Sequence, residues 1–378
     1  MCYVSPSSIF ARWNLKRFVF FVLAQMTALF ISTTAFAHER WVLTPDQMQT
    51  LNSQPKPEIY TSFTLVGSLI LAFFGGILAF LIYIHYFRKP DKWLLMFSGR
   101  MQRFVEWIQP LLRLTLGWTL IASAMGLVPR LGNSPMSYPT FLAPDLELAT
   151  LGAGWHWLVW AELLLGFWFM SGLWTRIASI VMLVAIHLSL FLFGEPFMAY
   201  YPTFVGIAIY LVIRGGGRGT METRTLPALR PIMEWLDNIP MRSPQYILRV
   251  LAGLNFIYLG VWFKILQPNL AVGIVTIYEV PILSLAPQSF TLFMACVEIV
   301  AGIAIMAGIL IRPASLFLFF AFFFFATFLP EGYDSHLVFY AVLMAFLLGG
   351  PGRLGSTGIY QRKSVKSVLQ QRIQNFIN

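Results

Sequence analysis

Nine long apolar runs divide this chain, and its charged residues fall mostly between them. The runs lie near Tyr60–Phe87, Pro110–Val128, Gly154–Trp174, Ile177–Phe193, Met198–Ile213, Tyr246–Leu266, Phe290–Ile311, Pro313–Leu329 and Leu337–Leu348. A helix needs about 20 mostly apolar residues to cross a bilayer, so each run is a spanning candidate, several of them short. A soluble domain covers its surface with about a quarter of its residues charged. Here 11% are charged and 58% hydrophobic, so hydrocarbon must be the solvent for much of the chain. The expected fold class is all-α: a polytopic transmembrane helical bundle.

The formal net charge of +10 would raise nucleic acid as a partner for a soluble protein. In this chain the cations sit in connectors, where they set orientation and meet anionic headgroups. Membrane lipids are the expected partners, and no nucleic acid. Past the N-terminal segment, one side of the spans holds only Arg40, Lys56, Arg130 and Lys264. The other side holds every remaining Lys and Arg, from Arg88 to Arg372. That bias places the C-terminus in the cytoplasm and the mature N-terminus outside a bacterial cytoplasmic (inner) membrane.

Arg12, Lys16 and Arg17 precede a short apolar stretch, Phe18 to Ile31, and Ala35 and Ala37 form an A-x-A site. Residues 1–37 therefore read as a signal peptide cleaved before His38. An uncleaved first helix would leave the later topology unchanged. Cys2 lies in that segment and Cys296 is alone beyond it, which excludes a disulfide framework or a thiolate metal site within one mature chain.

Self-similarity at a constant offset of 136 residues is the second strong feature. Arg113, Gly117 and Ile121 match Arg249, Gly253 and Ile257. Glu162, Gly166, Met170, Gly172 and Arg176 match Glu298, Gly302, Met306, Gly308 and Arg312, and Glu195 matches Glu331. Such residues inside apolar runs are costly to place twice by accident. Each unit has an even number of spans, so the copies are expected to be parallel. The expected order is a periplasmic segment at 38–59, an extra span at 60–87 and a cytoplasmic interfacial segment at 88–109. A first repeat at 110–214, a cytoplasmic linker at 215–245 and a second repeat at 246–350 follow. A basic amphipathic tail at 351–378 closes the chain. Glu106-Trp107 and Glu234-Trp235 hint at an interfacial helix leading into each repeat.

The second copy reads RVLAGLNFIYLGVWFKILQPN from Arg249 to Asn269 and VEIVAGIAIMAGILIRPASLFL from Val297 to Leu318. The pattern of Arg249, Gly253, Gly260, Lys264, Glu298, Gly302, Gly308 and Arg312 resembles the DoxX/DoxD family of small four-helix membrane proteins. The first copy keeps Arg113, Gly117, Glu162, Gly166, Gly172 and Arg176 but has Val128 in the place of Lys264. The resemblance covers roughly the last two-thirds of the chain. It implies a four-helix fold and an association with quinone-dependent oxidoreductases such as thiosulfate:quinone oxidoreductase, although many members have no assigned activity.

Glu162 and Glu298 each lie fourteen residues before Arg176 or Arg312. That is about 21 Å of helix, which puts both carboxyls in the outer half of the hydrocarbon. An acid there is either a buried hydrogen-bonding group or a participant in proton or quinol chemistry. His187, eleven residues past Arg176, has two readings: a carboxylate–imidazole pair with Glu162, or a histidine hydrogen-bonded to backbone or to Ser/Thr, the second favoured. Asn255 has the same two readings, with the interhelical one favoured. Lys264 is explained by snorkelling, or with Glu279 by contact with a polar head at a membrane-level cavity. His38, His156 and His336 share the outer side, but spacing shows no convergence on a metal. No phosphate-binding loop, nucleophile elbow, zincin or haem motif occurs, and no redox cofactor motif is evident. The expectation is a DoxX-like component of quinone-linked electron transfer, with Glu162, His187 and Glu298 shaping a polar pocket and a quinone or redox partner subunit supplying the electrons. The rivals are a small-molecule or ion transporter and a structural or assembly factor.

Overall fold

The computed structural model describes residues 42–87, 101–128, 138–221, 230–240, 242–282, 284–329 and 333–350. Among them the structure is helical, with a single isolated antiparallel bridge between Thr140 and Glu147. The signal segment, His38, Arg130, Glu331 and the basic tail lie outside the described residues.

The chain opens with α1 (Pro45–Ser53) and α2 (Glu58–Thr61). Thr44 caps α1 in a capping box: its hydroxyl accepts the Gln47 N–H, and the Gln47 side chain accepts the Thr44 N–H at 2.9 Å. Helix α3 (Leu65–Phe87) is 11% buried over its most apolar window. It touches the rest mainly through Phe74, whose ring lies 5.1 Å from that of Phe293. The remaining surface of α3 exposes Leu69, Phe73 and Phe80, as a helix facing lipid would.

A 3-10 turn at Gln102–Trp107 leads into α4 (Ile108–Ala124), followed by α5 (Trp157–Ser171), α6 (Thr175–Phe193) and α7 (Tyr201–Arg214). After α8 (Arg230–Asp237) comes α9 (Arg242–Tyr258), which runs on as a π-helix over Leu259–Leu266. The chain then forms α10 (Pro268–Ile277), α11 (Pro287–Ala307), α12 (Ile311–Phe328) and α13 (Leu337–Gly349). Each of the nine expected runs overlaps a helix, with different bounds. Five segments are long and apolar enough to cross a membrane: Leu65–Ile84, Thr175–Phe193, Ser243–Leu266, Pro287–Ala307 and Ile311–Phe328. The others are cut short by backbone stops. Helix α7, for example, begins at Tyr201-Pro202, ends at Gly215 with φ of 69°, and has 14 residues, about 21 Å of rise.

Two of the most extensive crossings in the bundle depend on glycine. Helices α4 and α5 meet where a Cβ added to Gly117 would lie 2.9 Å from the Gly166 carbonyl oxygen. Helices α9 and α11 meet where a Cβ on Gly253 would lie 2.7 Å from the Gly302 carbonyl oxygen. Small residues allow this approach where no hydrophobic effect operates between lipid-exposed helices. The turns match too: Gly172 and Trp174 after α5 have φ of 71° and 44°, while Gly308 and Leu310 after α11 have 75° and 43°. Taking α4–α7 as a first set and α9–α13 as a second, the last helix of each leans on the first helix of the other, α7 against α9 and α13 against α4. One continuous apolar core results.

Gly302→Val should therefore lower stability by about 1–3 kcal/mol, because neither helix backbone can retreat without opening the core. Gly75→Ala, on α3 with nothing within 4 Å of the new methyl, should leave it unchanged. Thermal unfolding in mild detergent distinguishes the two.

Candidate functional site

The second helix set, at the end where the π segment closes α9 and α11 begins, encloses a partly open cavity of about 130 Å³. An apolar cavity of about 150 Å³ is enough to hold benzene, so a single ring fits the scale. Aromatic rings of Phe263, Phe290, Phe322 and Phe325 form much of the wall, with Lys264, Glu298, Thr291 and His336 as the polar groups. The Lys264 ammonium donates to both oxygens of Glu298, at 2.9 and 2.8 Å. The two side chains are 21% and 11% exposed, so this pair is shielded by the protein on most sides. His336, in the 3-10 turn Asp334–His336 ahead of α13, is buried with its ring 5.1 Å from Phe322.

A cap covers this end. Helix α10 packs on α11, on the π segment and on α1. Leu43 and Met48 from the N-terminal segment bury against Leu270. The Asn269 amide donates to the Leu51 and Gln54 carbonyls at 3.2 and 2.7 Å. The Tyr278 hydroxyl donates to the Val42 carbonyl at 2.6 Å, and burial pushes its pKa up, which keeps it a donor. Val42 itself lines the cavity.

The first helix set is closed at the matching place. The Glu162 carboxylate, 1% exposed, accepts the Leu142 backbone N–H at 2.7 Å. Leu142 belongs to the loop between α4 and α5, whose Phe141, Leu142, Ala143 and Leu146 are all buried in the core. Leu142 takes a left-handed φ of 67°, an unfavourable conformation for a branched side chain that the surrounding packing must impose. The Tyr200 hydroxyl donates to Asp145 of the same loop at 2.7 Å, and Tyr200 occupies the position that His336 has at the 136-residue offset. A loop thus fills the first set where the second has a cavity.

The expected trio does not converge. The His187 ring meets the Leu183 carbonyl at 2.7 Å and the Tyr201 hydroxyl at 3.3 Å, so both ring nitrogens are satisfied away from Glu162. Glu298 is instead paired with Lys264, and His336 lines the same cavity. Asn255 bonds the Ala199 carbonyl at 2.7 Å and the Thr203 N–H at 3.4 Å, tying α9 to the start of α7. His156 is exposed before α5, and Glu279 is exposed beyond α10. Among the described residues no three His, Cys, Asp or Glu side chains gather as a metal site.

The arginines that recur at the 136-residue offset mostly serve helix ends. Arg113 donates to the Phe169 and Met170 carbonyls at 2.7 and 3.0 Å, and Gly172 leaves room for its guanidinium. Arg312 donates to Leu347 at 2.8 Å. Arg176 bonds the Met233 carbonyl and Asp237 of α8, and Arg249 lies 5.0 Å over the Tyr246 ring. Charged donors satisfy the free carbonyls at these termini.

Sequence reasoning passed over Glu195 as a site residue, as well as Trp262, the π segment and the α1–α10 cap. A Thr44-Pro45-x-Gln47 capping signature was there to be read for α1. Nothing local signals a π-helix.

These features define a class: a membrane protein, helical among the described residues, with one pocket filled by a loop and one open. No family model matches this chain, and no curated protein or solved structure is similar to it at a significant level.

Proposed function

We propose that this is a DoxX-like protein of the bacterial inner membrane, with nine spans and two parallel four-helix copies, that binds a quinone ring in the second copy and works in quinone-linked electron transfer. The mature N-terminus is outside and the C-terminal tail is cytoplasmic in this reading. The paired glycine crossings, the paired left-handed turns and the reciprocal packing of α7 on α9 and α13 on α4 support the duplication.

The observation that carries the functional reading is the Lys264–Glu298 pair set in an aromatic wall beside a ring-sized space. Ligand sites are typically apolar clefts with a few placed polar groups. A bound quinone supplies two-electron, two-proton redox chemistry, and a redox partner subunit supplies the electrons. Within this chain, the phenylalanines hold the ring and exclude water. Lys264 would be the donor to a ring carbonyl, and Glu298 and His336 would be the groups able to hold a proton beside it. The first copy has neither the lysine nor the space, so each chain should carry about one quinone.

Solvent extraction of protein purified in mild detergent, followed by mass spectrometry, measures this directly. Prenylated quinone near one per chain is expected. A level no higher than in an unrelated membrane protein purified the same way would remove the reading. It would leave the transporter and assembly-factor readings standing.

A further inference from the structure

The helix that carries Lys264 changes pitch just before it. From Leu259 to Leu266 the backbone is a π-helix, and the Gln267 N–H reaches back five residues to the Trp262 carbonyl at 3.1 Å. Such wide turns are rare and usually single, because their bonding is less favourable than α, and they concentrate at functional sites. A run of this length needs an external hold. Among the described residues the first helix set has no equivalent, since α4 ends at Ala124 and the chain turns at Gly126 with φ of 61°.

The hold comes from across the molecule. Glu195, in the 3-10 turn Glu195–Ala199 ahead of α7, is 8% exposed. Its Oε1 accepts the Trp262 indole N–H at 2.7 Å and the Tyr258 hydroxyl at 3.5 Å. The Tyr258 and Trp262 rings stack at 6.0 Å with 9° between planes. Two residues past Trp262, Lys264 reaches Glu298 on α11. Gly260 lets the segment lie close, because a Cβ there would stand 2.8 Å from the Ala295 carbonyl oxygen and 3.3 Å from the Glu298 Cβ. The π segment is thus held between one carboxylate from the first helix set and one from the second.

We propose that Glu195 is a positioning residue for the cavity: by holding Trp262 and Tyr258 it keeps the π register that turns Lys264 onto Glu298. A register shift of one residue rotates a helical side chain by about 100°, enough to carry the ammonium off its partner. The proposal rests on the cavity being the ligand site for its consequence, while its test needs no ligand.

The test is the reaction of the full chain, in detergent, with an amine-acylating reagent, read by mass spectrometry at Lys264 with exposed Lys56 as internal reference. Glu195→Ala should raise Lys264 labelling at least about fivefold relative to Lys56, as should Glu298→Gln. Glu195→Gln keeps an acceptor oxygen and should stay at the wild-type ratio. Trp262→Phe should match Glu195→Ala, and the double variant should add nothing further. Wild-type labelling in Glu195→Ala, or Glu195→Gln behaving like Glu195→Ala, overturns the proposal. Quinone content measured on the same samples separates the two readings. If labelling rises but bound quinone is unchanged, the positioning role stands and the quinone site falls.

Discussion

If the second set binds quinone as proposed, Lys264→Met should strip it from the purified protein, and it should lower stability by about 3 kcal/mol, the lower end of the range for breaking a buried ion pair from one side. The loss is large because the partner is left behind. Glu298 is 11% exposed and takes both of its bonds from Lys264, so methionine leaves a carboxylate facing an aromatic wall. The lower end applies because Lys264 itself retains 21% exposure and some contact with water. Replacing both members, Lys264→Met with Glu298→Leu, should restore most of the stability, since matched apolar groups often replace a buried pair without loss. Bound quinone should stay absent in the double variant, because the donor to the ring carbonyl is gone. Unfolding monitored alongside quinone extraction gives both numbers. A Lys264→Met protein with wild-type quinone content would exclude the pair as the ligand-holding group, whatever its stability.

Glu162→Ala acts on the other helix set, and its expected effect is local opening without loss of ligand. The Leu142 N–H loses its acceptor in a buried setting, which costs about 1–3 kcal/mol. Leu142 is also held at φ of 67°, so the loop has backbone strain to release once that bond is gone. Hydrogen exchange at the 138–151 segment should accelerate by about 10- to 100-fold, the same free energy expressed as an opening equilibrium. Glu162→Gln, which keeps an acceptor oxygen, should exchange near the wild-type rate. Quinone content should be unchanged in both. A loss of quinone in Glu162→Ala with an unmoved loop would place ligand chemistry in the first set and contradict the division of roles between the two.

The difference between the two acids was not legible in the sequence. Glu162 and Glu298 stand at matched positions with matched glycines four residues on, Gly166 and Gly302. From spacing alone they are the same residue twice. What separates them is what reaches each from a distance: a backbone N–H from Leu142 for one, an ammonium from Lys264 for the other. Val128 opposite Lys264 in the alignment of the copies was the one visible trace of this. His187 shows the reverse case. Its position fitted a pair with Glu162, but the Tyr201 hydroxyl and its own helix backbone were nearer.

Composition and periodicity determined that this chain is helical and lipid-solvated, where its apolar helices lie and which residues recur. Those properties follow from the free energy of each segment in its solvent, a sum over neighbours along the chain. Tertiary structure alone decided that α7 leans on α9 and α13 on α4, that a loop fills one pocket while α10 and the N-terminal segment cap the other, and that Glu195 holds the π turn carrying Lys264. Those outcomes rest on single hydrogen bonds and close contacts between residues tens to hundreds of positions apart. No local pattern encodes such a pairing, because its free energy exists only after the helices have packed.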